Sequence, residues 1–123
     1  MKKRKIAFIE DEEGLVFALR KKLKDEGFDL ITANNGIDSL ALIEKEKPDM
    51  ILLDIVLPKM EGFTVLRELK KTKSIKNIPV IVLSNLGQDE DVAKAMHLGA
   101  VDYMIKAETE MDIIIQKINK YLK

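Results

Sequence analysis

Short, unbroken apolar runs alternate along the chain with longer stretches in which apolar residues recur at helical spacing. The runs at residues 6–9, 50–53 and 80–83 are continuous, which is typical of strands buried on both faces. Shorter runs at 30–33 and 103–105 predict two further strands. Five strands are therefore predicted, and each is separated from the next by a segment with helical spacing.

Five helices are predicted in the segments that follow the strands. Their inward positions are Leu15, Leu19 and Leu23; Ile37, Leu40, Ala41 and Ile43; Phe63, Leu66 and Leu69; a weaker stretch at 89–98; and Met111, Ile114, Ile115, Ile118 and Leu122. Strands that alternate with helices form parallel sheets through right-handed crossovers. The strand order is not directly readable from the sequence, but five strand–helix units of this size fit the flavodoxin-like order. We therefore predict a flavodoxin-like doubly wound α/β fold, with a five-stranded parallel sheet in the order 2-1-3-4-5 and five helices.

Composition and charge narrow the function classes. The 123 residues suit a single domain, which we predict to span residues 1–123. Because 21 basic residues balance 21 acidic ones, no overall charge favours direct nucleic-acid binding. The basic start is followed by too few apolar residues for a signal peptide or for membrane insertion. Without cysteine the chain has no disulfide or thiolate nucleophile, and we predict a cytoplasmic protein.

Polar side chains follow four of the five predicted strands. Glu10 and Asp11 follow the first strand, Asp54 the third, Ser84 the fourth and Lys106 the fifth. Because the carboxyl ends of parallel strands meet at one edge of the sheet, we expect these side chains to share a cleft. Converging carboxylates either raise their pKa values or recruit a cation, and oxygen ligands suit Mg²⁺.

Phosphoryl transfer is the chemistry that this set of residues suits. In such reactions a protein mainly positions groups and neutralises charge on the phosphoryl oxygens. Asp54 is the candidate nucleophile, because carboxylates form aspartyl phosphates. We expect Mg²⁺ on Asp11 and Asp54, the Lys106 ammonium on one phosphoryl oxygen and the Ser84 hydroxyl on another.

These residues give the chain a resemblance to response-regulator receiver domains, in particular to single-domain receivers of the chemotaxis type. The resemblance extends over nearly the whole chain and rests on Glu10-Asp11, on Asp54 with Leu57-Pro58 and Gly62, on Ser84, and on Gly99-Ala100 with Asp102-Tyr103 and Lys106. It implies a two-component phosphorelay protein, in which a histidine kinase or phosphotransfer protein donates a phosphoryl group to Asp54 in a Mg²⁺-dependent reaction. It further implies a phosphoacceptor that assists its own phosphorylation and dephosphorylation, not an enzyme with a separate substrate.

The same resemblance implies roles for other residues. The backbone carbonyl of Val56 would join the metal ligands, and Glu10 would lie in the outer shell. Ser84 and Tyr103 stand at the switch positions of the family. There, phosphorylation draws the hydroxyl inward and the aromatic ring follows. The face formed by the fourth helix, fifth strand and fifth helix then changes its protein partners.

Several positions depart from the family pattern. Glu10 stands where Asp is commoner, and Asn85 stands where Ala or Gly is common, which predicts narrower access to the phosphoryl site. Val56 and Leu86 are apolar at positions that influence dephosphorylation, so we predict a long-lived phosphorylated state. Ala107 follows the lysine where the family usually has proline, often after a cis bond. Without proline the cis form costs about 3–4 kcal/mol, so the bond is either trans or something compensates.

Other functions on the same fold fit less well. A nucleotide-binding protein would offer amides, glycines or hydroxyls in its first loop, whereas residues 10–13 are all acidic. A phosphatase of the haloacid-dehalogenase type uses an Asp-x-Asp pattern, and Val56 occupies the second position of that pattern here. One alternative stays open: a receiver-like interaction module that is never phosphorylated and uses the same surface constitutively.

Overall fold

The computed structural model describes residues 3–122 and contains one five-stranded parallel sheet in the order β2-β1-β3-β4-β5. The strands are β1 (Lys5–Ile9), β2 (Asp29–Ala33), β3 (Met50–Leu53), β4 (Val80–Ser84) and β5 (Asp102–Ile105). The helices are α1 (Glu13–Asp25), α2 (Gly36–Glu46), α3 (Gly62–Lys71), α4 (Asp89–His97) and α5 (Met111–Leu122). The predicted flavodoxin-like fold and strand order are confirmed. Residues 1, 2 and 123 of the predicted domain lie outside the described residues.

Two apolar clusters lie on opposite faces of the sheet. Ile6 and Phe8 of β1 belong to the cluster that includes α1 and α5, whereas Ala7 and Ile9 belong to the cluster that includes α2, α3 and α4. Every residue of β3 and β4 is buried. Because both faces of these strands are covered, their apolar runs are continuous instead of alternating.

The loop between β3 and α3 packs closely against the first residue of α3. The Gly62 N–H donates to the Ile55 carbonyl at 2.7 Å. A Cβ at Gly62 would lie within 3.0 Å of both backbone atoms of the Asp54 carbonyl group. Glycine is therefore required here because two backbone segments approach each other, and the contact fixes where the loop leaves Asp54.

A short 3₁₀ helix, Lys106–Glu108, follows β5 and was not predicted from the sequence. It lies where the predicted fifth strand ends, at the same edge of the sheet as the C-terminal end of β4. Its position matters because Lys106 is its first residue.

No helix within residues 3–122 combines the length and the apolar character needed to cross a membrane. The cytoplasmic location stays a prediction.

Candidate functional site

The C-terminal edge of the sheet brings the predicted site residues together. Asp54 directly follows β3, Ser84 ends β4 and Lys106 directly follows β5. One pocket is lined by Glu10, Asp11, Glu12, Asp54, Val56, Ser84, Asn85 and Lys106. The pocket has a buried floor and an exposed rim, because Asp54 and Ser84 are buried whereas Asp11 and Asn85 are exposed. The grouping expected from the strand ends is therefore present, and the roles of its members stay predictions.

Three carboxylates converge in this pocket. One oxygen each from Glu10, Asp11 and Asp54 lies within 4.8 Å of the other two. Glu10 Oε1 is fully buried, and its close partner among the described residues is Lys106 Nζ at 2.8 Å. Three carboxylates that converge on one ammonium leave negative charge to be balanced, and a set of oxygen donors only fits a hard cation.

Hydrogen bonds from backbone amides orient the two buried carboxylates. The Glu12 N–H donates to Glu10 Oε2 at 3.2 Å, and the Val56 N–H donates to Asp54 Oδ1 at 3.1 Å. The other oxygen of each carboxylate, Glu10 Oε1 and Asp54 Oδ2, lies 2.8 Å from Lys106 Nζ. The Val56 side chain is 60% exposed beside Asp54, and the metal-binding role of its carbonyl stays a prediction.

Lys106 lies between the two buried carboxylates. Its Nζ is 2.8 Å from Glu10 Oε1 and 2.8 Å from Asp54 Oδ2, and it donates a hydrogen bond to the latter. Burial alone lowers the pKa of Lys106, but its pairing with the two carboxylates outweighs burial and raises that pKa above its ordinary value. For Glu10, burial raises the pKa and outweighs the pairing with Lys106. Lys106 therefore presents a positive charge to the pocket.

The two predicted switch residues meet at one residue of the β4–α4 loop. The buried Ser84 hydroxyl accepts a hydrogen bond from the Leu86 N–H at 3.4 Å. The Tyr103 hydroxyl donates to the Leu86 carbonyl, and burial raises the pKa of Tyr103. The tyrosine ring packs against the cluster that includes α2, α3 and α4. Leu86 therefore links Ser84 at the end of β4 with the Tyr103 side chain of β5. The sequence did not indicate this link.

A second contact between loops was also missed. Asn85 Oδ1 accepts a hydrogen bond from the Ala107 N–H at 2.9 Å. All peptide bonds in residues 3–122 are trans, so the bond between Lys106 and Ala107 is trans as well. No sequence pattern identifies this pair, because its members are 22 positions apart, one in the irregular β4–α4 loop and the other in a 3₁₀ helix of only three residues.

The curated proteins that resemble this chain include one much longer protein and one of similar length. The alkaline phosphatase synthesis transcriptional regulatory protein PhoP of Bacillus subtilis is 39% identical over 103 residues, which are 84% of this chain and 42% of PhoP. Protein PilH of Pseudomonas aeruginosa is 34% identical over 118 residues, which are 96% of this chain and 97% of PilH. The chain thus spans less than half of PhoP and nearly all of PilH.

Solved structures and a family model agree with these relatives. The BeF3-activated N-terminal receiver domain of Klebsiella pneumoniae RstA superposes with a TM-score of 0.89 at 28% identity, over 98% of this chain and 99% of that one. A DNA-binding response regulator of the LuxR family from Staphylococcus aureus has a TM-score of 0.88 at 30% identity, with 98% and 99% covered. Residues 6–119 match the model described as the response regulator receiver domain. The chain belongs to the response regulator receiver domain family.

Proposed function

We propose that this receiver domain accepts a phosphoryl group on Asp54 from a histidine kinase or a phosphotransfer protein, and that phosphorylation changes which proteins it binds. One observation carries the proposal: the buried Asp54 carboxylate lies 2.8 Å from the Lys106 ammonium and within 4.8 Å of two further carboxylates. In this proposal the domain assists its own phosphorylation and dephosphorylation and acts on no separate substrate. Family membership supports a place in two-component signalling.

Asp54 is the nucleophile of the proposed reaction. One of its oxygens forms the new bond to phosphorus as the bond between phosphorus and the donor's imidazole nitrogen breaks, and the imidazole leaves with the electron pair of that bond. The Val56 N–H and the Lys106 ammonium hold opposite oxygens of the carboxylate, at 3.1 Å and 2.8 Å, and restrict its rotation. A fixed carboxylate reaches the reactive geometry at a smaller entropic cost.

Two side chains of the protein can stabilise negative charge on the phosphoryl oxygens during transfer. Lys106 carries a full positive charge at the pocket, and the Ser84 hydroxyl keeps its own proton available because its present hydrogen bond is an accepted one. Positive charge and donors that are already in place stabilise the charge that spreads over the phosphoryl oxygens.

The carboxylate cluster fits Mg²⁺, because all its donors are oxygens and its three carboxylates face a single ammonium, that of Lys106. Asp11, Asp54 and the Val56 carbonyl would hold the ion, and Glu10 would contact it from the outer shell. When bound, the ion supplies positive charge that balances the carboxylates and the phosphoryl oxygens.

The proposed output surface is the face formed by α4, β5 and α5. Ser84 and Tyr103 both bond to Leu86, so a displacement of the Ser84 hydroxyl toward a phosphoryl group affects the same loop that holds the tyrosine. Phosphorylation adds roughly 1.5 to 2 negative charges and shifts an existing equilibrium between two loop arrangements. We expect a protein partner at this face, and neither direct nucleic-acid binding nor membrane insertion.

The decisive experiment exposes the protein to a small phosphodonor with and without Mg²⁺ and measures its intact mass. We expect one added phosphoryl group with Mg²⁺ and none after chelation. The Asp54→Asn variant should remain unmodified, whereas Asp25→Asn, at an exposed aspartate at the end of α1, should be modified like the native protein. A native protein that stays unmodified with Mg²⁺ present would refute the proposal and favour the interaction module that needs no phosphorylation.

A further inference from the structure

The turn that carries Lys106 is held at its start by a side chain from another loop. Lys106–Glu108 forms a 3₁₀ helix, and the first N–H groups of a helix have no partner within it. Ile105, which precedes this helix, makes no capping bond with its side chain. Asn85 Oδ1 takes that place, since it accepts from the Ala107 N–H at 2.9 Å. Asn85 is therefore a cap supplied across the pocket from the β4–α4 loop.

The contact lies directly beside the residue that supplies the ammonium group. On one side of Lys106, Ile105 is paired with Ser84 in the sheet. On the other side, the Ala107 N–H is held by Asn85, so the backbone of Lys106 is fixed at both ends. The Lys106 side chain extends from this backbone to Asp54, where its Nζ lies 2.8 Å from Oδ2. A shift of the turn would therefore also displace the ammonium.

We propose that Asn85 is a positioning residue for Lys106, acting through the backbone of Ala107. The expected effect on the rate of phosphoryl uptake rests on the proposed function. The expected effect on the position of Lys106 rests only on the hydrogen bond between Asn85 and Ala107. Asn85 needs no contact with the phosphoryl group in this role. Its exposed position makes it replaceable without a cavity in the core.

The first test is a cycle of variants that removes either partner of the bond. Asn85→Ala removes the acceptor, and Ala107→Pro removes the donor because proline has no N–H. Asn85→Ala should slow phosphoryl uptake from a small phosphodonor about two- to tenfold, the rate equivalent of one neutral hydrogen bond. Ala107→Pro serves only as the background without the donor, because proline also restricts the backbone of Lys106. In the Ala107→Pro background, Asn85→Ala should cause no further loss. Asn77→Ala, at an exposed asparagine of the α3–β4 loop, is the matched control and should react at the native rate.

The second test measures the same effect without phosphoryl transfer. Hydrogen exchange of the Ala107 amide, followed by NMR, should accelerate in Asn85→Ala and stay native-like in Asn77→Ala. The ε-methylene signals of Lys106 report on the ammonium between its two carboxylates, and they should shift in Asn85→Ala alone. Asn85→Asp keeps an acceptor oxygen and should restore slow exchange of the amide.

The outcomes separate this inference from the proposed function. A native uptake rate in Asn85→Ala, or an equal loss in the Ala107→Pro background, would overturn the positioning role and leave phosphorylation of Asp54 standing. If the native protein takes up no phosphoryl group, the proposed function fails. The positioning role is then decided by the NMR signals, and unchanged Lys106 signals in Asn85→Ala would overturn it.

Discussion

Replacing Gly62 by alanine tests how tightly the loop between β3 and α3 is packed. A Cβ at this position would lie within 3.0 Å of the Asp54 carbonyl carbon and oxygen and of the Ile55 Cα, all of them backbone atoms. Ordinary contacts of a Cβ begin at 3.4 Å, and the Asp54 carbonyl oxygen is the atom that the added Cβ would approach most closely, so the two backbone segments must separate by about 1 Å. No flexible side chain is available to move out of the way.

The stability cost follows from this overlap. Inserting a methyl group into a well-packed region typically costs about 1–3 kcal/mol, and rigid backbone neighbours place Gly62→Ala near the upper end of that range. Alanine regains about 0.5–1 kcal/mol over glycine in a helix, which leaves a net loss of about 2 kcal/mol. Because the displaced atoms belong to Asp54, phosphoryl uptake should fall as well.

Urea unfolding followed by circular dichroism measures the loss, and Gly14→Ala is the matched control. Gly14 lies near the start of α1, and nothing lies within 4 Å of a Cβ added there. The same substitution should therefore raise the free energy of unfolding by up to about 1 kcal/mol at Gly14 and lower it at Gly62. If Gly62→Ala unfolds at the native urea concentration or above it, the steric reasoning is wrong.

Three further predictions address other parts of the chain. Asn35→Ala should lower the free energy of unfolding by about 1 kcal/mol in urea, because the Asn35 side chain caps α2 by accepting the Asp38 N–H at 2.9 Å; an unchanged stability would contradict the cap. Burial alone raises the pKa of Asp102, but hydrogen bonds from a lysine, a backbone amide and a tyrosine outweigh it and hold the pKa below 3.8. The stability that this carboxylate contributes is therefore present above pH 3.8 and is lost as the pH falls through its lower folded-state pKa. Asp102→Asn should accordingly have a lower free energy of unfolding in urea than the native protein at pH 7, and the two proteins should become equally stable in acid. The double variant Val56→Asn, Leu86→Glu should shorten the half-life of the phosphorylated protein, and a longer half-life would refute the view that apolar side chains hinder the attacking water.

The alternation of strands and helices and the edge that carries the site were predictable because they depend on simple patterns, whereas the strand order was taken from the known order of flavodoxin-like folds. Strands such as β3 and β4 are buried on both faces, so their apolar runs are unbroken and easy to recognise. Parallel pairing then places all C-terminal ends at one edge, which brings Asp54 and Lys106 together although they are 52 positions apart. Only the polar residue that follows each run has to be read from the sequence.

The contacts between loops were not predictable in the same way. Asn85 with Ala107, and Leu86 with Tyr103, are joined by side-chain bonds to single backbone groups. Such bonds depend on how the irregular β4–α4 loop, which contains Asn85 and Leu86, lies against β5 and the short helix that follows it, and this loop has no periodic pattern. The 3₁₀ helix that begins at Lys106 was missed for the same reason, since three residues are too few to show helical spacing.

The division between buried and exposed groups indicates from which side Asp54 can be approached. Glu10 and Asp54 are buried, with only 2% and 3% of their surface exposed, so neither can be approached through the sheet. The rim consists of the exposed Asp11, Asn85 and Val56, and the last of these is 60% exposed. In the proposed reaction, a donor imidazole and a hydrolytic water would both pass this rim. Because the proposed phosphorylation and dephosphorylation would then share one entrance, we expect an apolar residue at position 56 to affect both rates, with the larger effect on the reaction that requires a free water molecule.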